Sequence, residues 1–169
     1  MTFAARRLIA SDAEAYRALR IEGLADSPAS FGSSLAEEID KPAAAWVDRL
    51  DKGFVFGLFE TGALVGAAGF YREAILKSAH RGHLVGVYLR PAARGRGGAD
   101  LLVGAVIAEA RNHVLQLHLA VTQDNDRARR LYERHGFTIY GEDPRGLRVD
   151  GLFYDDYLMV LRLDEGSGK

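Results

Sequence analysis

The sequence has no cysteine, so a disulfide framework, a thiolate zinc site and a cysteine nucleophile are all excluded. It also lacks a long apolar run. The longest uncharged stretches, residues 61–71 and 112–123, fall short of the roughly 18 residues a membrane span needs. Near the start, Arg6 and Arg7 are followed by Asp12 and Glu14, which interrupt any signal-like apolar core. Charge of one sign is missing too. The net charge is −1, which argues against a general nucleic-acid binder and, with 48 % apolar residues, against disorder. Lysine is scarce: arginine outnumbers it 18 to 4. The expected setting is the cytoplasm, with no membrane and no nucleic-acid partner.

What is present suits an ordinary globular protein. A chain of 169 residues is long enough for one domain and buries about two thirds of its unfolded surface. The expected organisation is one domain over residues 1–165 and a flexible tail over 166–169. No internal repeat is visible.

Residues 3–9 predict a first strand. Ser11 or Asp12 caps a helix carrying Ala15, Leu19 and Leu24. Residues 26–34 read as a loop, and Pro42 opens a short helix through Trp46 and Leu50. Residues 53–59 and 63–71 flank Glu60-Thr61-Gly62 as a hairpin. Residues 82–89 are a further strand, 99–112 a long helix and 115–122 a strand. Residues 126–135 form a helix with Ala128, Leu131, Tyr132 and His135 on one stripe, ending at Gly136. Strands over 137–141 and 152–163 close the chain. The central strand–helix–strand unit implies a parallel pair, and the hairpins imply antiparallel neighbours. The predicted class is α+β: a single mixed, mostly antiparallel sheet flanked by helices.

The most informative stretch is Arg94-Gly95-Arg96-Gly97-Gly98-Ala99, between a strand and a helix. The first N–H groups of a helix have no partner within it, and the helix dipole adds about half a positive charge there. Gly95, Gly97 and Gly98 let the backbone curl tightly, while Arg94 and Arg96 add formal charge. Together they suit a pyrophosphate. Other readings compete. The glycines alone could build a turn. A Walker loop is excluded because no Gly-Lys-[Ser/Thr] follows. The dinucleotide fingerprint is not completed, since Asp100 occupies its last position. A single RGG copy is a third alternative.

Downstream lies Asn125-x-x-Ala128-x-x-Leu131-Tyr132-x-x-x-Gly136-Phe137. Alone, Asn125 reads as a helix cap and Tyr132 as a core aromatic. The two stretches together resemble the GNAT superfamily of N-acetyltransferases. Arg94, Gly97 and Ala99 fill the fixed positions of its Arg/Gln-x-x-Gly-x-Gly/Ala signature, with Ala99 where glycine is common. The closing run of Asp155, Asp156, Tyr157, Leu158, Met159, Val160 and Leu161 is similar to that family's last strand. A glutamate often found near the start of the family's fourth strand is not evident; His80 and His83 lie near that place.

The resemblance implies acetyl-CoA as cosubstrate, lying between two splayed parallel strands, here residues 82–89 and 115–122, with no metal. It implies that backbone groups of Val87, Tyr88 and Leu89 face the pantetheine arm and the oxyanion. Arg94, Gly95, Arg96, Gly97, Gly98 and Ala99 would hold the pyrophosphate and Asn125 would reach the pantetheine. Arg127, Arg129 and Arg130 face either the outer phosphates or solvent. The implied reaction is direct attack of a primary amine on the thioester. An alkylamine with pKa near 10.4 is only about one part in a thousand deprotonated at neutral pH, a barrier of about 4 kcal/mol unless a base removes the proton. The base stays open among Glu73, His80, His83 and water. Tyr132 is the candidate general acid for the leaving thiolate.

The acceptor, a small-molecule amine or a protein N-terminus or lysine, stays open, as does a homodimer. Glu22, Asp26, Glu37, Glu38 and Asp40 make the N-terminal helices acidic, either for a cationic acceptor or as solvated faces. Alternatives to catalysis are a non-catalytic acyl-CoA-binding or sensor domain and an RNA-binding module.

Overall fold

The computed structural model describes residues 2–165. In chain order it has strand β1 (Phe3–Arg7), helices α1 (Ala13–Asp26), α2 (Leu35–Glu38) and α3 (Ala43–Lys52), and strands β2 (Phe54–Glu60), β3 (Ala63–Arg72) and β4 (Arg81–Leu89). Helix α4 (Gly98–Ala110), strand β5 (Gln116–Thr122), helix α5 (Asp126–Arg134) and strands β6 (Thr138–Val149) and β7 (Leu152–Arg162) follow. The strands form one mixed sheet in the order β1-β2-β3-β4-β5-β7-β6. Antiparallel ladders join β1 to β2, β2 to β3, β5 to β7 and β6 to β7. The predicted class is borne out. The β4–β5 ladder is parallel. It pairs Arg81, Gly82 and His83 with Gln116, Leu117 and His118 and ends there. The expected tail at 166–169 lies outside the described residues.

Two compact units divide the chain. One runs to Phe70 and takes in Val85–Val106; the other takes in Tyr71–Leu84 and the described residues from Ile107 on. In the first, α1 turns Tyr16, Leu19 and Leu24 inward at helical spacing, where they join Leu8, Phe31, Trp46, Leu50 and Leu64. Tyr16 meets the Trp46 ring edge-on at 5.8 Å. Each such side chain contributes about 1.5–3 kcal/mol by leaving water. Glu38 is buried at the same place, with Arg49 Nη1 at 3.1 Å, Arg20 Nη2 at 3.4 Å and Ser33 Oγ donating at 3.0 Å. Burial alone would raise its carboxyl, but the arginines outweigh burial and hold it below the ordinary value.

Helix α2 falls just after the predicted loop. It starts with a capping box: Ser34 Oγ accepts from the Glu37 N–H at 3.3 Å, and Glu37 Oε2 accepts from the Ser34 N–H at 2.7 Å.

In the second unit, Leu117 of β5 and Met159 of β7 are fully buried, and Phe137 packs edge-on against Tyr132 at 5.9 Å. Strand β6 runs well beyond the predicted 137–141. Pro144 has no N–H for a ladder and suggests a stop. The register instead breaks between Asp143 and Leu147, where a bulge accommodates the proline, and pairing resumes to Val149.

Candidate active site

The turn after β4 is built as the glycine pattern implies. Gly97 has φ +83, and a Cβ there would meet nothing within 4 Å, so its backbone faces open space. Gly98 begins α4 in the opposite circumstance. A Cβ there would lie 2.6 Å from Leu58 and 3.1 Å from Phe3, so only glycine lets the helix start this close to β1 and β2. Gly95, Arg96 and Gly97 are exposed and Ala99 half-buried. The 13-residue α4 starts directly after this exposed turn, and the first N–H groups of a helix have no partner within it.

The two arginines of the turn have partners within the fold. Arg94 donates from Nε to the Leu89 carbonyl at 2.8 Å and from Nη2 to Asp26 Oδ2 at 2.8 Å. Arg96 binds the Glu60 carboxylate, donates to the Ala92 carbonyl at 3.2 Å and lies over the Phe3 ring at 4.7 Å. Both guanidinium groups are thus engaged within the fold.

Val87 is half-buried, while Tyr88 and Leu89 are buried. The Tyr88 ring lies 6.2 Å from Phe31, and its hydroxyl donates to Asp26 at 3.3 Å. Arg94 first, then Ser27, holds the Asp26 carboxyl below its usual range. Arg90 pairs with Glu22 at 3.0 Å. The acidic stretch is thereby largely occupied: Glu22 and Asp26 by arginines, Glu37 in its cap and Glu38 in the buried network. Asp40 stays exposed.

In the other unit Asn125 caps α5, its Oδ1 accepting from the Ala128 N–H at 3.2 Å. Its amide NH2 remains a donor. Arg129 is tied to Glu133 at 2.9 Å and Asp126 at 3.3 Å, while Arg127 and Arg130 are exposed. Tyr132 is 8 % exposed, and burial raises its hydroxyl well above the ordinary value, so it stays protonated.

Of the base candidates, two come together. His83 Nε2 lies 2.6 Å from Glu73 Oε1, and the His83 ring stacks on Tyr71 at 4.9 Å and 17°. In the neutral tautomer that donates Nε2–H to Glu73, Nδ1 of His83 is an acceptor. His80 is exposed, and its carbonyl accepts from the Leu115 N–H at 2.8 Å. Sequence reasoning missed His118, which pairs with His83 on the last rung of the parallel ladder, their rings 5.9 Å apart. Its Nδ1 faces Tyr140 Oη at 3.3 Å and Arg81 Nη2 at 3.4 Å, and its Nε2 faces the Gln116 amide at 2.7 Å. Burial, then Arg81 and His83, pull it down to about 4, so it is neutral beside His83. The sequence carried no signal for it, since His118 falls on the strand face opposite Leu117, Leu119 and Val121.

No helix among the described residues is long and apolar enough to cross a membrane.

The family model described as the acetyltransferase (GNAT) family matches residues 18–137. An uncharacterized N-acetyltransferase of Mycobacterium tuberculosis is 35 % identical over 109 residues, covering 54 % of this chain and 69 % of that protein. A Mycobacterium bovis counterpart gives the same figures. The fold is shared with a GNAT-family acetyltransferase of Streptococcus pneumoniae: TM-score 0.84, 23 % identity, covering 95 % of this chain and 99 % of that one. It is also shared with a phosphinothricin acetyltransferase of Sinorhizobium meliloti, solved in complex with acetyl-CoA: TM-score 0.83, 19 % identity, covering 99 % of this chain and 91 % of that one. Sheet, glycine turn and relatives together define the class as N-acetyltransferase. The chain belongs to the GNAT family of acetyltransferases.

Proposed function

We propose that residues 1–165 work as one acyl-CoA N-acyltransferase domain, moving acetyl from acetyl-CoA to a primary amine by direct attack in a ternary complex. The observation that carries this is the exposed turn at Gly97, open to solvent at the start of α4 and inside the family-matched region. The acetyl-CoA complex of the Sinorhizobium meliloti relative supports the cosubstrate.

In this reading N–H groups of Arg94, Gly95, Arg96, Gly97, Gly98 and Ala99 bind the pyrophosphate. Backbone groups of Val87, Tyr88 and Leu89 serve the pantetheine and the oxyanion, and the Asn125 amide donates to the pantetheine. His83 is the base. Glu73 holds its Nε2–H, and Nδ1 takes the amine proton, directly or through one water. The amine nitrogen bonds to the carbonyl carbon, the carbon–sulfur bond breaks, and the Tyr132 hydroxyl donates to the departing thiolate. The compartment this implies is the cytoplasm.

Calorimetric titration with acetyl-CoA tests the reading, followed by thiol release over a panel of amines. Binding with turnover on any amine supports it. Binding without turnover on the whole panel moves the protein to a sensor role, and no binding ends the reading.

A further inference from the structure

The hairpin of β6 and β7 gathers aspartates that have no ion-pair partner among the described residues. Asp143 and Asp156 are direct cross-strand partners. Asp156 is 6 % exposed, and its Oδ1 is buried with no hydrogen-bond partner. A Cβ at Gly146 would lie 2.7 Å from Asp156 Oδ2 and 3.2 Å from Asp143 Oδ2, so the two carboxylates converge on one spot beside that backbone. The neighbouring Asp155 accepts from the Arg145 N–H at 2.8 Å. The hairpin's arginines make other contacts: Arg145 and Arg148 lie over the Phe153 ring at 4.2 and 5.4 Å, and Arg162 pairs with Glu165.

A carboxylate buried without a donor costs several kcal/mol, and like-charged cross-strand neighbours add to that cost. Burial, then Asp143 and Asp155, accordingly raise the Asp156 carboxyl. A fold keeps such an arrangement where something else satisfies it. The occupant this chemistry fits is a cation with several N–H donors, and an alkylammonium offers three. The location is informative as well. Asp156 pairs with Thr122, the last residue of β5, whose carbonyl accepts from the Asn125 N–H at 3.0 Å. The carboxylates therefore sit one turn away from the Asn125 position that the proposed function uses.

We propose that Asp143 and Asp156 form a cation site for the acceptor, so that the acceptor carries a second positive charge besides the reacting amine. This rests on the proposed function for its acetylation half and on the hairpin alone for its binding half. The carboxylates of α1, Glu22 and Asp26, are by contrast paired with arginines.

The test is direct titration of the full chain with 1,4-diaminobutane and with butylamine, in the wild type, Asp143→Asn and Asp156→Asn. Two charge-assisted contacts predict that the diamine binds about ten-fold more tightly than the monoamine, and that either variant removes this preference. A peptide with lysine as its second residue, run alongside, separates a free diamine from a protein segment as the source of the ammonium. Acetyl-CoA affinity is measured on the same samples and stays unchanged in both variants. Equal binding of the two amines by the wild type overturns the cation site, as does no binding of either, or a preference that survives both substitutions. Diamine preference without acetyl-CoA binding upholds the cation site and sinks the acetyltransferase mechanism instead. Asp143 is exposed, so its variant reports even where Asp156→Asn perturbs folding.

Discussion

Arg94 Nη2 and Asp26 Oδ2 are 2.8 Å apart, tying the glycine turn after β4 to the end of α1. The signature arginine thus fixes the shape of the turn. A residue that held phosphate directly would make Asp26 a competitor, and removing Asp26 would strengthen cosubstrate binding. A residue that shapes the turn predicts the opposite sign.

Asp26→Asn is therefore expected to weaken acetyl-CoA binding about two- to five-fold, the scale of one partly exposed ion pair. Arg94→Ala should weaken it at least as much, and the double variant should add little to Arg94→Ala alone. Calorimetry on the four proteins completes the cycle. Tighter binding in Asp26→Asn would return Arg94 to the phosphate.

Gly97 combines a positive φ with empty space above it. Gly97→Ala should cost about 1–2 kcal/mol of stability from backbone strain alone. Gly97→Glu adds a carboxylate where an anion binds and should reduce acetyl-CoA affinity at least about ten-fold beyond the alanine variant. Thermal unfolding and titration separate the two effects. Equal affinity in the two variants would put the pyrophosphate elsewhere.

Local chemistry made these positions legible. Gly97 and Asn125 sit at a strand–helix turn and a helix cap, and both features are written in adjacent residues. The sheet class was legible for the same reason, since hairpins and a crossover helix dictate their own pairing. What was not legible depends on distant partners. Nothing local marks Glu38 as buried among Arg20 and Arg49, or Arg94 as the partner of Asp26. His118 looks like any polar residue on an alternating strand until β4 supplies His83 and Arg81. The length of β6 beyond residue 141 was not legible either, because the bulge that carries its proline needs a partner strand to exist.

Glu38 separates structural from binding carboxylates. Its side chain is 3 % exposed and serves Arg20 and Arg49. Glu38→Gln leaves two arginines short of their counter-charge and should cost about 3 kcal/mol in denaturant unfolding. Glu22→Gln, at a half-exposed pair, should cost under about 1 kcal/mol. Similar losses for the two would mean the Glu38 network is no more than a surface pair.

Tyr132 is buried and protonated, with its ring against Phe137. Tyr132→Phe keeps that packing and deletes only the hydroxyl. Turnover should fall about 10²-fold, in the range for general acid catalysis, with acetyl-CoA affinity unchanged. An unaltered turnover would assign Tyr132 to the core alone.

His118 makes stability depend on pH in a window of its own. Its ordinary value is 6.5, and in the fold it is pulled down to about 4. Above 6.5 neither the folded nor the unfolded chain binds the proton, so the residue contributes no pH dependence. As pH falls from 6.5 toward 4, the unfolded chain takes up a proton that the folded chain refuses. Stability should therefore decline with a slope of up to about 1.4 kcal/mol per pH unit from this residue, and flatten once the folded form protonates too. His118→Gln, which keeps hydrogen-bonding capacity without the titration, should remove that slope in urea unfolding measured across the window. The Glu38 network cannot imitate it: its folded carboxyl lies below its ordinary 4.5, so its contribution is lost only as pH falls below that value. A slope that persists in His118→Gln would show that the proton linkage resides elsewhere in the fold.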